Sequence, residues 1–480
     1  MELLQVQKGN IIDTAGKKVM LRGTCVGGFM NMEDFINGYP GTESGLRRML
    51  AEEIGVSKSE LFFESLLDKF FGEKDIVFIK ETGANCVRIP LNYRHFESDD
   101  KPFEYKAAGF KRLDETIALC EKHGLYVILD LHAVAGWQNC HWHSDNERGL
   151  ALLWTHEHFK ERMIAFWEEM ARRYKNSTTV AGYNLVNEPS CGNVSGEHGF
   201  DFYECYQSDW DAINSLYKRL VKAIRAIDNK HIIFLEGDYY SRLFSGLDEP
   251  FDDNLVYSSH NYIAPGYGPG AYPGYYGKTY WDKNKVKADF LNQEGTKFAK
   301  QHQVPLWVGE FGSQYHGSEA DLPSRIASIN DQISLYNDMD VHWTTWTYKD
   351  PGIMGWVCFD PESEYMKIIA PIQQMKKDMG AENFVALYEG QSKGKEIART
   401  LSDYILDASG NTDLNYDSNA YTMNYTVLTG YAAATLQRTY VKLFNGYSED
   451  DIERITDAFA FENCMKNEAY LKLLRERLAD

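Results

Sequence analysis

Short apolar runs recur along the chain with longer amphipathic stretches between them. The runs are KVMLRGT from Lys18, NCVRIP from Asn85, LYVILDLH from Leu125, VAGYNLVNE from Val180, HIIFLEG from His231, LVYSSHNY from Leu255, PLWVGEFG from Pro305 and VHWTTWTY from Val341. Most are rich in Val, Ile, Leu and aromatic residues with little alternation, the pattern of strands buried on both faces of a parallel sheet. Between them, FKRLDETIALCEKHG (110–124), HFKERMIAFWEEMARRY (158–174) and SDWDAINSLYKRLVKAIRAID (208–228) carry helical periodicity. Eight strand-helix units are the count of a (β/α)8 barrel, so the expected fold is α/β, a TIM barrel.

The pattern changes after Asp360. MKIIAPIQQMKKDMG reads as the last barrel helix, and helical segments follow: KEIARTLSDYILDA, ATLQRTYVKLFNGY and, from Asp451, DIERITDAFAFENCMKNEAYLKLLRERLAD, the clearest amphipathic stretch. The expected organisation is a catalytic barrel over 1–380 and a mainly helical C-terminal extension over 381–480. The linkers are short and no Pro/Gly/Ser-rich hinge occurs, so the extension is expected to pack on the barrel. Closing the rim of the site, or making a homo-oligomer contact, are the two roles open to it.

Charge narrows the partners. With 70 acidic against 50 basic residues the net charge is −20, which repels nucleic acid and acidic membrane surfaces. No segment approaches the roughly 20 apolar residues of a membrane span, and MELLQVQKGN has neither a basic start nor a long apolar core. The eight cysteines lie scattered with no C-x-x-C pair, as suits reduced thiols better than a disulfide framework. The expected location is cytoplasmic.

Polar residues sit at the ends of the apolar runs. Arg88 is near the end of the second, His132 ends the third, Asn187 and Glu188 the fourth, His260 and Tyr262 the sixth and Glu310 the seventh, with Trp346 late in the eighth. In a barrel those ends meet at one face, where the loops build active sites. Pro189 disfavours a helical conformation at Glu188, so the chain is expected to leave the fourth strand extended with the carboxylate at its exit. Glutamate is a poor helix cap, and Glu310 occupies the matching position on another strand. Paired carboxylates about 5 to 5.5 Å apart are what a retaining glycosidase needs, one as proton donor and one as nucleophile. Arg88, His260 and Tyr262 are then expected to donate hydrogen bonds to Glu310, Asn187 to hold the sugar 2-hydroxyl, Trp346 to lie under the ring, and His132 to bind. The H-x-H of His141 and His143, with His132, raises zinc. No acidic or thiol ligand is committed to it and two-carboxylate chemistry needs no metal, so neither metal nor cofactor is expected.

In these motifs and their order the chain resembles glycoside hydrolase family 5, a group of retaining β-glycosidases on a (β/α)8 barrel. The motifs are NCVRIP with Arg88, LDLH with His132, NLVNEP with Asn187 and Glu188, SHNY with His260 and Tyr262, VGEFG with Glu310 and WTYK with Trp346, spanning about Leu21 to about Asp350. The resemblance implies that Glu188 is the acid/base, Glu310 the nucleophile, and the other six residues the subsite around the cleaved bond of a carbohydrate or glycoside. LRGTCVGGFMN and LDLHAVAGWQN are similar to the LRG-N-LGG and DLHGAPGSQN of exo-acting β-1,3-glucanase and β-glucosidase branches. They depart at Cys25, where Asn is usual, and at Ala133-Val134-Ala135. Long loops after the first, third and sixth runs could wall in one end of a cleft. The expected activity is exo-hydrolysis of β-glucosides. The alternatives are an endo-acting β-glucanase, a β-mannanase or β-mannosidase, a transglycosylase, and a non-catalytic sugar-binding protein on the same scaffold.

Overall fold

A computed structural model describes residues 1–192, 206–268, 270–315, 321–381, 392–410 and 423–479. Its centre is a closed barrel of parallel strands: β1 (Arg22–Cys25), β2 (Cys86–Asn92), β3 (Tyr126–Ala133), β4 (Val180–Asn184), β5 (Ile232–Glu236), β6 (Leu255–His260), β7 (Leu306–Glu310) and β8 (His342–Thr345), with β8 pairing back to β1. Each apolar run supplies one strand, and the fold is the expected (β/α)8 barrel with a helical C-terminal region.

The barrel interior is layered. At the bottom Leu21, Cys86, Ile128, Phe234, Val256 and Trp307 form one fully buried apolar cluster. The N-terminal hairpin, Gln5–Gln7 with Asn10–Ile12, plugs that end: Leu4 and Ile11 join the cluster, and the Val6 N–H donates to Asn254 Oδ1 at 2.6 Å. One layer higher the interior turns polar at Arg88, whose guanidinium carbon lies 5.6 Å from the Trp307 ring centroid. The functional site is built on this polar layer.

The helical segments fall close to their expected places, at Ala107–His123, Glu157–Tyr174 and Trp210–Arg225. Gly124, at φ +68, ends the first, and the Asp209 side chain caps the third by accepting from the Ala212 N–H. The long loop after β1 folds into Asp34–Asn37 and Glu43–Ile54, and the loop after β6 carries a hairpin, Gly274–Tyr276 with Thr279–Trp281.

The extension departs from expectation at its end. The stretch from Asp451 is not one helix. A capping box between Ser448 and Asp451 starts Glu449–Thr456, which stops before Phe459; a strand, Cys464–Lys466, then pairs antiparallel with Val357–Phe359, and a second helix covers Glu468–Ala479. The break has a physical cause in Lys349. Its buried ammonium pairs with Asp75 at 2.7 Å and donates to the carbonyls of Phe70 (2.6 Å) and Phe459 (2.9 Å). A buried ammonium needs such acceptors, and a continuous helix would have kept the Phe459 carbonyl for itself. Among the described residues seven cysteines are free thiols and no helix is long and apolar enough to cross a membrane; Cys205 lies outside the described residues.

Candidate active site

Glu310 ends β7, where a register shift after Val308 sets it opposite His260 of β6. Its Oε1 accepts from Arg88 Nη1 at 2.5 Å and its Oε2 from the Tyr262 hydroxyl at 2.9 Å. Arg88 is wholly buried and held on every side. Nε donates to Asn184 Oδ1 (3.1 Å), Nη2 to Asn187 Oδ1 (2.7 Å) and to Glu236 Oε1 (3.2 Å), and Asp130 Oδ2 lies 3.1 Å from Nη2. Burial alone would favour loss of its charge, but Asp130 and Glu310 outweigh it and raise its pKa well above the usual value. Burial, and then the Glu310 charge, push the Tyr262 phenol well up, so it stays a donor.

Glu188 corrects two expectations. It does not leave the strand extended: its φ is +46°, in the left-handed region that a non-glycine residue occupies only under constraint. The constraint is visible, since the Glu188 N–H donates to Glu236 Oε2 at 2.8 Å and its carbonyl accepts from Asn139 Nδ2 at 2.8 Å. Nor does His260 serve Glu310 first. Its Nδ1 lies 2.7 Å from Glu188 Oε1 and 3.5 Å from Glu310 Oε2, so it is the hydrogen-bond partner of Glu188. His143 Nε2 is 3.1 Å from the other Glu188 oxygen. Burial raises the Glu188 pKa, but the bonds to His143 and His260 more than reverse this and hold it well below the carboxylate range. His260 moves the other way: burial favours its neutral form, and Glu310, Glu236 and Glu188 together hold it protonated, well above the ordinary imidazole value. In the free site the proton of this pair therefore rests on His260.

The remaining residues form one wall. His132 Nδ1 bonds to Asp130 Oδ2 at 2.7 Å, and its Nε2 lies 3.3 Å from both Asn187 Nδ2 and Glu33 Oε1. Its ring lies flat against Trp346, 5.3 Å between centroids at 4°. Burial lowers the His132 pKa, yet Asp130 overrides that and carries it up to about 9. All eight residues singled out in the sequence are thus brought together.

Four further residues join them, of which sequence reasoning read His143 only as half of the H-x-H and passed over the other three. Glu236 ends β5, as Glu310 ends β7, and its Oε2 also accepts from the Ser241 hydroxyl. Its position at the end of HIIFLEG was a readable signal. Glu33, Asn139 and His143 lie in long loops, where no periodicity fixes which side chain faces inward. Among the described residues Glu188, His260 and Glu310 are the group whose donor atoms, all within 4.8 Å of one another, could hold a cation. Those atoms are already committed to Arg88, Tyr262, His143 and each other, which is an arrangement for moving protons. The two rings of the H-x-H meet edge to face, 5.4 Å between centroids at 88°, but serve different partners: His143 faces Glu188, and His141 stacks on Tyr240, 4.6 Å between centroids at 18°.

Fold and site together define a glycoside hydrolase. The family model of Cellulase (glycosyl hydrolase family 5) matches residues 55–352, and the chain belongs to that family. A protein named Beta-xylosidase from Phanerodontia chrysosporium is 34% identical over 99% of this chain and 98% of its own length. Endoglucanase C of Acetivibrio thermocellus is 29% identical over 61% of this chain and 88% of its own. A solved endogalactoceramidase structure shares the fold, with a TM-score of 0.51, 17% identity, and coverage of 73% of this chain and 75% of that one. The substrate class is carbohydrate.

Proposed function

We propose that this glycoside hydrolase is a retaining, exo-acting β-glycosidase that releases single sugars, with Glu310 as nucleophile and Glu188 as acid/base. One observation carries the reading: Glu188 and Glu310 bring carboxylate oxygens within 4.8 Å of each other across the barrel mouth, a separation with room for attack on the anomeric carbon and none for a water between the carboxylates. Arg88 and Tyr262 fix the two Glu310 oxygens and hold the carboxylate in place for attack. As the bond to the anomeric carbon forms, the negative charge on Glu310 is consumed. That charge is the strongest of those holding the proton on His260. The proton then moves along the 2.7 Å contact to Glu188, which passes it to the leaving oxygen as the glycosidic bond breaks. In the second step Glu188 takes a proton from water, the hydroxide displaces Glu310 from the same face, and the β-configuration is restored.

The exo reading is supported by the long loops after β1, β3 and β6, and by a relative named a β-xylosidase that aligns with almost the whole chain. That relative puts β-xylosides first among substrates; the motifs similar to exo-glucanase branches put β-glucosides second. An endo reading draws on Endoglucanase C, which aligns with 61% of this chain. A panel of p-nitrophenyl β-xyloside, β-glucoside and β-mannoside, with timed chromatography of xylo- and cello-oligosaccharides, tests the proposal. Monosaccharide from the first time point is expected, and mid-chain fragments at early times would replace exo with endo action.

A further inference from the structure

A cavity of about 540 Å³ lies where the C-terminal extension meets the barrel loops, a volume within the usual range of small-ligand sites. Three segments build it. The loop after β1 brings Thr42 and Arg48, the loop after β3 brings Trp142, Glu147 and Arg148, and the extension brings Tyr431. The extension is fastened there by Gln437, which is buried and whose Nε2 donates to the Thr42 carbonyl at 2.7 Å.

None of the active-site residues lines the cavity, but a short chain of contacts links it to Glu188. Tyr240, His141 and Trp142 stack as a column of nearly parallel rings, 4.6 and then 5.1 Å between centroids, and the outer ring, Trp142, lines the cavity. The next residue, His143, is the one whose Nε2 stands 3.1 Å from Glu188. The chemistry of the lining is that of a sugar site. Trp142 and Tyr431, the latter 73% exposed, offer flat faces to the C–H surface of a pyranose. The Arg48–Glu147 pair at 3.1 Å and the Arg148 guanidinium offer planar donors and acceptors to its hydroxyls. No ion pair engages Arg148 among the described residues.

We propose that this cavity binds a further sugar unit of the substrate on the leaving-group side of the cleaved bond, and that the extension exists in part to complete it. The inference rests on Glu188 as proton donor, because the leaving sugar departs over the residue that protonates it, and beyond Glu188 and His143 stands the Trp142 wall.

The test compares a linear β-linked trisaccharide with the β-glycosyl fluoride of the same sugar, whose leaving group reaches nothing past Glu188. Tyr431→Ala and Arg148→Ala change exposed side chains, and Tyr404→Ala, 70% exposed on the helix Lys393–Ser409 and outside the cavity, is the control. The ratio of kcat/KM for trisaccharide over fluoride should fall roughly 3- to 10-fold in Tyr431→Ala, as expected for one lost stacking contact. The loss should lie in KM, and Tyr404→Ala should not show it. Trisaccharide binding to the inactivated Glu310→Gln protein, followed by calorimetry, should weaken by a similar factor when Tyr431→Ala is added. An unchanged ratio and unchanged binding in both cavity variants would overturn the proposal. If Glu310→Gln still turned over the fluoride, the assignment of the catalytic pair would fall first and this inference with it.

Discussion

Replacing Glu236 by glutamine probes how the site is held together. Glu236 is fully buried, and its two oxygens meet donors on all sides: the Glu188 N–H at 2.8 Å and the Ser241 hydroxyl on Oε2, and Arg88 Nη2 at 3.2 Å on Oε1, with His260 Nε2 at 3.6 Å. Burial opposes its charge, but His260 and Arg88 outweigh that and hold its pKa at about 2. Glutamine removes the charge and supplies one oxygen where two are needed, so its amide N–H groups must face other donors. Hydrogen bonds to a charged group are worth about 1.5–3 kcal/mol each, and removing one partner of a buried ion pair costs about 3–5 kcal/mol. The variant should therefore lose about 3–5 kcal/mol of stability in urea unfolding. The kinetic effect should be selective, because the bond that keeps Glu188 at φ +46° is among those damaged. For an alkyl glycoside, which depends on the proton, kcat/KM should fall about 100-fold, at the lower end of general-acid contributions. A dinitrophenyl glycoside, which hardly needs the proton, should lose much less. Glu236 is also one of the charges that raise His260, together with Glu310 and Glu188 and against the nearby Arg88 cation, so its loss lowers the His260 pKa. The alkaline limb of the rate profile should move to lower pH. Equal losses on both substrates with an unmoved limb would refute this reasoning and leave Glu236 as a support for Arg88 alone.

Other outcomes follow from the same geometry. Glu310→Ala should abolish turnover of every substrate, and added azide should give the α-glycosyl azide; Glu188→Ala should still cleave a dinitrophenyl glycoside in its first step and give the β-azide, and exchanged anomers would exchange the two roles. Lys349→Met should cost about 3–5 kcal/mol in urea unfolding by leaving the buried Asp75 carboxylate without its cation, and a loss under about 1 kcal/mol would contradict the role given to Lys349. Burial holds His95 down to about 4 and His342 down to about 3, from 6.5. Both are neutral when folded and take up a proton on unfolding, so their stabilising effect is full above pH 6.5 and is lost as pH falls toward 4 and then 3. Thermal midpoints should fall across that window, and His342→Gln, which can still accept from the Leu21 N–H, should flatten the fall.

The barrel was legible because strands buried on both faces leave continuous apolar runs, and the site because five of those runs end in polar residues that the fold gathers at one mouth. What stayed hidden depends on contacts between distant segments. The φ of +46° at Glu188 needs the carboxylate of Glu236, 48 residues onward, as acceptor for its N–H. His260 was placed at the correct strand end, but its choice of Glu188 over Glu310 is a matter of 2.7 against 3.5 Å, below what strand position can resolve. Glu33 and His143 sit on irregular loops, whose inward faces only the packed structure defines. The helical period after Asp451 is real on both sides of Phe459, yet the demand of Lys349 for that carbonyl interrupts it.

The central claim is that Glu310 forms the bond to the sugar. Incubation with a 2-deoxy-2-fluoro-β-glycosyl fluoride of the sugar found in the substrate panel slows breakdown of the intermediate, and peptide mass mapping then locates the label. One fluorosugar on the peptide carrying Val308-Gly309-Glu310 is the predicted result, and a label on Glu188 or Glu236 would contradict it.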